Sequence, residues 1–344
     1  MPEPEDHRLA LDLLIRGFQV SRIIRLAADL GLADRIAPEG ASPIAALAEA
    51  SGVLPHQLLR VVRALAAFGI FQLDADFQPD GLGSVRHTPK SLLLRSDAPR
   101  TLHHAARFWA GEGSWRAWEA LDVALQGNVP HEAAWGTSRF AYLREHPDEA
   151  RTFDAFMAHF GDDRHGALAG AYDFSRTTTI ADVGGGNGEM LRRILARYPN
   201  ARGVVLDRED VVAAITDEAR AGGRLTTQGG SFFEAVPAGG DVYLLCRVLH
   251  DWPDDQALRI LNCCRTAMGP NARLLVVEGL LHPDPTRGAR AEYLIDMQMM
   301  AMFGNARERT EAEFGELLER AGLRLARVIA TGSSVSILEA APCA

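Results

Sequence analysis

From about residue 177 the chain alternates short apolar runs with amphipathic stretches, and this alternation constrains its fold more than any other feature. "TTTIADVGG" reads as a strand, "EMLRRILARY" as a helix, "ARGVVLD" as a strand and "DVVAAITDEARAG" as a helix. "RLTTQGGSF", "DVYLLCRV" and "ARLLVVEG" continue as strands, with "DDQALRILNCCRTAM" a helix between the last two. Strands separated by helices pair in parallel, because each helix carries the chain back across a face of the sheet. The predicted fold is therefore α/β, a doubly wound sheet. Its ligands belong at the carboxyl ends of the strands, where the strand order reverses.

The first half of the chain has a different texture. Residues 8 to about 100 read as helical, and "LLIRGFQVSRIIRLAADLGLADRI" carries apolar residues at helical spacing. Ser42-Pro43 and Pro55 open two short helices, and "FQLDADFQPDGLGSVRHTP" supplies two short β pieces around a Pro-Asp-Gly turn. Helix, turn, helix and β-wing make a winged-helix pattern in a largely helical domain. Its second helix, "PHQLLRVVRALAAFG", offers only Arg60 and Arg63 as cations. That is too few to read a DNA groove, so the apolar helices are expected to bury against another subunit. Residues 101–165 are again helical, and Trp109, Trp115, Trp118, Phe153, Phe156, Met157 and Phe160 suit either a core or the lid of an aromatic pocket. The expected domains are thus 1–100, 101–165 and 166–344.

A net charge of −9 argues against nucleic acid or an anionic membrane as partner. No apolar run approaches the ~18 residues of a membrane span. The acidic start "MPEPEDHRLA" does not resemble a signal peptide. The four cysteines, at 246, 263, 264 and 343, form no CxxC, so neither a metal site nor a disulfide framework is expected, and a reducing cytoplasm fits best.

The strand–helix turn "ADVGGGNGEML" is rich in glycine, which lets the backbone approach a ligand closely. A dinucleotide loop places a small residue at its third glycine position, where this chain has Glu189. Asp182 precedes the loop; it would repel a pyrophosphate but suits a ligand with an ammonium group. Asp207 ends the next strand, where a carboxylate can accept from ribose hydroxyls. This constellation points to S-adenosylmethionine. A second feature is "LLCRVLHDWPDD", in which a strand stops on His250. Histidines at strand ends are ordinarily structural, but this one falls at the ligand end of the sheet.

Together these motifs resemble the class I S-adenosylmethionine-dependent O-methyltransferases, specifically the plant-type caffeate and acetylserotonin family with its bacterial small-molecule branch. "DVGGGNG", "VLHDWPDD", "VVEGLL" and "RERTEAEF" occur in the family's order, and the resemblance includes the N-terminal winged-helix dimerisation domain. It implies a Rossmann-like sheet, a homodimer and methyl transfer to a hydroxyl of an aromatic molecule. It also implies His250 as general base, flanked by Glu278 and Glu308. Asp251 would either hold the histidine or cap the following helix. The cofactor would lie on Asp182, Gly184, Gly186, Asp207, Ser231, Phe232, Phe233, Cys246 and Arg247. Ser231 stands where the family has an aspartate facing the adenine, and Cys246 where plant members have a lysine. Acceptor contacts would come from Asp154, Met157, Phe160, Met297 and Met300. The alternatives left open are nitrogen or carbon methylation, non-methylating chemistry on the same fold, and a winged-helix regulator that senses the cofactor.

Overall fold

The computed structural model describes residues 6–74, 82–216 and 218–343, with backbone alone at 158–166, 218 and 219. The Pro-Asp-Gly turn at 79–81 and the Phe160 side chain lie outside the described residues. The chain forms two units: Met1–Arg116 with Phe140–His159, and Ala117–Arg139 with Phe160–Ala344. The expected middle segment, 101–165, is therefore divided between the two units.

The first unit packs helices Gly17–Asp29, Ile44–Ser51 and Pro55–Ala67 around a core of Leu32, Ile44, Leu58, Val62, Leu65 and Phe71. Pro55 opens its helix as expected, where proline's missing N–H costs nothing. The wing is present: Phe71–Leu73 and Ser84–His87 pair antiparallel. Ser42–Pro43 adds a third short strand rather than a helix cap, and the Ser42 hydroxyl accepts from the Ala37 amide. Phe108 stacks on Phe156 with ring centroids 4.4 Å apart. Trp109 meets the Phe156 ring edge-on; Phe108 and Phe156 are buried, while Trp109 is exposed.

The second unit is built on a seven-stranded sheet. Its strands are β1 (Thr179–Val183), β2 (Arg202–Asp207), β3 (Leu225–Gly229), β4 (Val242–Cys246), β5 (Arg273–Glu278), β6 (Leu323–Ala330) and β7 (Ser336–Pro342). The order is β6-β7-β5-β4-β1-β2-β3; β1 to β5 run parallel, and the β6–β7 hairpin is antiparallel. Side chains alternate between faces. Ala181, Val183, Tyr243, Leu245 and Val276 bury against helices Asp254–Ala267 and Glu311–Arg320. Ile180, Val205, Leu244, Leu275 and Val277 bury with helix Glu189–Arg197 on the other face. Strand order reverses between β1 and β4, so the carboxyl ends of these strands frame the crevice expected of a doubly wound sheet.

Gly203 on β2 permits one close contact in this packing. A Cβ there would lie 2.5 Å from Leu191 Cδ2, a side chain with no exposure. Gly203→Ala is expected to destabilise the protein by about 1–3 kcal/mol through overpacking, read as a lowered midpoint in denaturant unfolding. A wild-type midpoint would contradict this packing.

Candidate active site

The glycine loop follows β1 directly. Gly184, Gly186 and Gly188 all have positive φ, at 74°, 57° and 75°, a region that other residues enter at a cost. A Cβ on Gly184 would also lie 2.9 Å from Val248 and 3.4 Å from Phe232. The loop is fastened by Asp207, whose carboxylate accepts from the Gly186 amide at 2.8 Å and from the Arg208 amide at 2.8 Å. Asp207 thus shapes the loop as well as ending β2.

Asp182 sits under this loop with 1% of its surface exposed, and among the described residues neither carboxylate oxygen has a hydrogen-bond partner. Burial, and then the nearby charge of Asp207, raise its pKa to about 7. A buried carboxyl without a donor is costly, and a cationic ligand group beside it would supply what the protein does not. The residues present therefore fit the ammonium-bearing cofactor expected from the sequence.

Phe232 lies against the loop through its approach to Gly184, whereas Phe233 is taken up in packing. The Phe233 ring meets Trp252 edge-on at 4.8 Å and carries the Arg259 guanidinium at 5.1 Å. The Ser231 hydroxyl accepts from the Phe233 amide at 3.3 Å, which leaves its own proton to offer. Cys246 ends β4, half-buried.

β4 leads into a single turn, Leu249–Asp251, which carries His250 at 6% exposure. Its Nδ1 lies 2.9 Å from Glu278 Oε2, at the end of β5. The Leu249 amide donates to Glu278 Oε1 at 2.9 Å, and Arg247 Nη1 donates to Oε2 at 3.1 Å. Glu278, with no exposure, is the hub. Burial works against its charge, but His250 and Arg247 hold its pKa below the ordinary value.

Glu308, expected to flank the imidazole, makes no hydrogen bond to it among the described residues. It pairs with Arg247, accepting from Nη2 at 2.7 Å and Nη1 at 3.1 Å. The guanidinium is the stronger claimant because its fork fits a carboxylate bidentately. Arg247, expected on the cofactor, bridges two acids and is held at φ 56°. Burial works against its charge as well, yet Glu278 and Glu308 raise its pKa.

Asp251 settles between the two roles left open for it. Its Oδ1 lies 3.1 Å from His250 Nε2. The helix Asp254–Ala267 starts from Pro253 without a side-chain cap. Burial and the Arg247 charge depress the His250 pKa, but Asp251 and Glu278 outweigh them and raise it to about 9.

Two further residues complete the arrangement. Arg309, fully buried, donates to the carbonyls of Leu249 and Trp252 at 2.9 Å each and pairs with Asp254 at 2.7 Å. Asp296 accepts from the Glu308 amide at 2.9 Å. Sequence reasoning missed both. The only signal for Arg309 was its place beside Glu308 in "RERT".

Of the expected acceptor residues, Met297 and Met300 lie on helix Arg290–Phe303 in the second unit, half-buried. The same helix contacts the His250 turn. Asp154 and Met157 belong to the first unit and are exposed. Among the described residues no group of histidine, cysteine and acid is placed to hold a metal, and no helix is long and apolar enough to cross a membrane.

A glycine loop over a buried carboxyl, beside a buried, carboxylate-held histidine at the switch point of this sheet, marks a group-transfer enzyme of the class I methyltransferase fold. Comparison with known proteins agrees. Residues 117–324 match the model of the O-methyltransferase domain, and 13–97 match that of the O-methyltransferase dimerisation domain. The phenazine O-methyltransferase PhzM of Lysobacter antibioticus is 38% identical over 96% of this chain and 94% of its own. The solved mitomycin 7-O-methyltransferase MmcR is 34% identical, with a TM-score of 0.85 over 98% of both chains. The O-methyltransferase NcsB1 from neocarzinostatin biosynthesis was solved with S-adenosylmethionine and 2-hydroxy-5-methyl naphthoic acid. It is 31% identical, with a TM-score of 0.78 over 94% of this chain and 96% of its own. The chain belongs to the S-adenosylmethionine-dependent O-methyltransferase family and carries its dimerisation domain.

The orphan carboxyl gives a test that needs no acceptor. A raised folded-state pKa means that the unfolded chain ionises first, so Asp182 withdraws stability as pH rises from the ordinary carboxyl value of 3.8 to about 7. Asp182→Asn should therefore raise the Tm of the cofactor-free protein more at pH 8 than at pH 4.5, by at least roughly 2 °C. An equal effect at both pH values would contradict the buried, unpaired assignment.

Proposed function

We propose that this protein transfers a methyl group from S-adenosylmethionine to a hydroxyl of an aromatic small molecule, with His250 as general base. One observation carries the reading: a buried histidine at the switch-point end of the sheet has its Nδ1 fixed on Glu278. That fixes the tautomer, because a carboxylate only accepts, so Nδ1 carries the proton and Nε2 is the nitrogen that can take one.

When bound, S-adenosylmethionine supplies a methyl group on a positively charged sulfur, open to in-line attack. Asp182, Gly184, Gly186 and Asp207 would hold it from the loop side. Ser231, Phe232 and the end of β4 at Cys246 would meet the adenine. A neutral phenol, with pKa ~10, is a weak nucleophile at pH 7. His250 Nε2 would take the acceptor hydroxyl's proton as that oxygen reacts, and Glu278 would balance the imidazolium that forms. Arg247 keeps Glu278 and Glu308 from repelling one another. The remaining rate enhancement is positioning.

Met297 and Met300 suit a flat acceptor ring, since thioethers adapt to aromatic faces. Asp154, Met157 and Phe160 are further candidates for contact with it. The family resemblance and the exposed apolar side chains Leu9, Leu11, Leu14, Ile15 and Phe18 favour a homodimer through the N-terminal unit. The absence of a membrane-spanning helix among the described residues is compatible with action in the cytoplasm.

The test is methyl transfer from labelled S-adenosylmethionine to a panel of phenols, catechols, hydroxyphenazines and hydroxylated polyketides, with aromatic amines included, read by mass spectrometry. An O-methylated product is expected. His250→Ala should bind the cofactor nearly as tightly as wild type while kcat falls about 10²–10⁴-fold. Wild-type turnover in that variant would remove the base assignment, and product from amines alone would move the reading to nitrogen transfer.

A further inference from the structure

Both ring nitrogens of His250 face carboxylate oxygens: Nδ1 faces Glu278 at 2.9 Å and Nε2 faces Asp251 at 3.1 Å. The Nδ1 contact is a hydrogen bond and the Nε2 contact an ion-pair distance; ionised carboxylates accept and do not donate, so both favour the imidazolium. In that form the nitrogen needed as base is occupied. We propose that Asp251 is a positioning residue that latches His250 in its protonated form until an acceptor hydroxyl replaces it at Nε2. This rests on the reading of His250 as the base.

The surroundings assign the movable part to Asp251. The backbone of its turn is held on several sides: Arg309 donates to the Leu249 and Trp252 carbonyls, and the Arg307 amide donates to the His250 carbonyl at 3.0 Å. Glu278 is pinned by three donors. Among the described residues the Asp251 carboxylate accepts no hydrogen bond, and its one ion pair is with Nε2. Its side chain is also 31% exposed, against 8% for that of His250. A rotation about its own side-chain bonds therefore frees Nε2 without moving the turn, and places the carboxylate in solvent.

The proton balance is consistent with one turnover. On opening, the Nε2 proton leaves through Asp251 to water, and the neutral imidazole then takes the acceptor's proton as the new bond forms. The ring ends as imidazolium again, ready for Asp251 to return. One proton is thus released for each methyl transferred, as conversion of a sulfonium and a neutral hydroxyl to a thioether and an ether requires.

The charged groups around the ring set the sign of the pH effect. Arg247 opposes its protonation, while Glu278 and Asp251 favour it. Glu308 and Asp296 lie behind Arg247, and Arg307, Arg309 and Asp254 lie on the carbonyl side of the turn. Removing the Asp251 charge should lower the midpoint at which His250 gains its proton, so that the base form persists to lower pH.

The test is a 13C NMR titration of histidine-labelled full-length enzyme without cofactor, with the His250 signal assigned by its loss in His250→Ala. Asp251→Asn and Asp251→Ala should each move the midpoint down by at least about one pH unit from wild type. The acid limb of kcat/KM for a phenol methylated in the panel should move the same way. A limb or a midpoint that stays in place in a folded variant overturns the latch. The titration needs no turnover, so it separates failure of the latch from failure of the base assignment, which His250→Ala kinetics decide.

Discussion

The site depends on one buried carboxylate. Glu278 ends a central strand with no exposure, and three donors converge on it: the His250 ring, the Arg247 guanidinium and the Leu249 amide. An ionised group so deeply placed is tolerable only when its hydrogen-bonding capacity is met. That requirement couples the ends of β4 and β5. Losing any one donor would leave part of a buried charge unmet, so the pairing also holds the turn after β4 in place. The base is a consequence of this demand as much as a cause of it.

The sheet makes such convergence possible. Adjacent parallel strands bring Cys246 opposite Val277, so the residue after β4 and the last residue of β5 meet at one edge. β1 delivers Asp182 and the glycine loop at the same end, and β2 delivers Asp207. Polar residues collect there because the strand interiors are apolar on both faces and the chain leaves the core only at its ends. Arg309 then ties the loop after helix Arg290–Phe303 to the His250 turn, closing the arrangement from the far side.

Much of this was legible in the sequence. β1 to β5 follow from apolar runs bounded by glycine and charged residues, and the loop is marked by residues that only a tight turn needs. His250 stands out in the sequence because it falls at a predictable strand end, whereas Glu278 enters through the family resemblance; the structure puts the two 2.9 Å apart. What spacing does not encode is competition among charges. Glu308 and the imidazole are compatible in sequence, but Arg247 lies between them and takes the carboxylate. Arg309 was hidden too, since two of its partners are backbone carbonyls with no side-chain signature and another, Asp254, lies 55 residues away in the chain. The division of 101–165 between two units was equally hidden, since helical periodicity does not say which core a helix joins.

The most direct test of the central claim is a crystal structure with S-adenosylhomocysteine and a methyl-accepting phenol bound together. The account predicts the reacting hydroxyl within about 2.6–3.2 Å of His250 Nε2, with Nδ1 still on Glu278. A hydroxyl bound to another residue, with Nε2 out of reach even through one water, would contradict it.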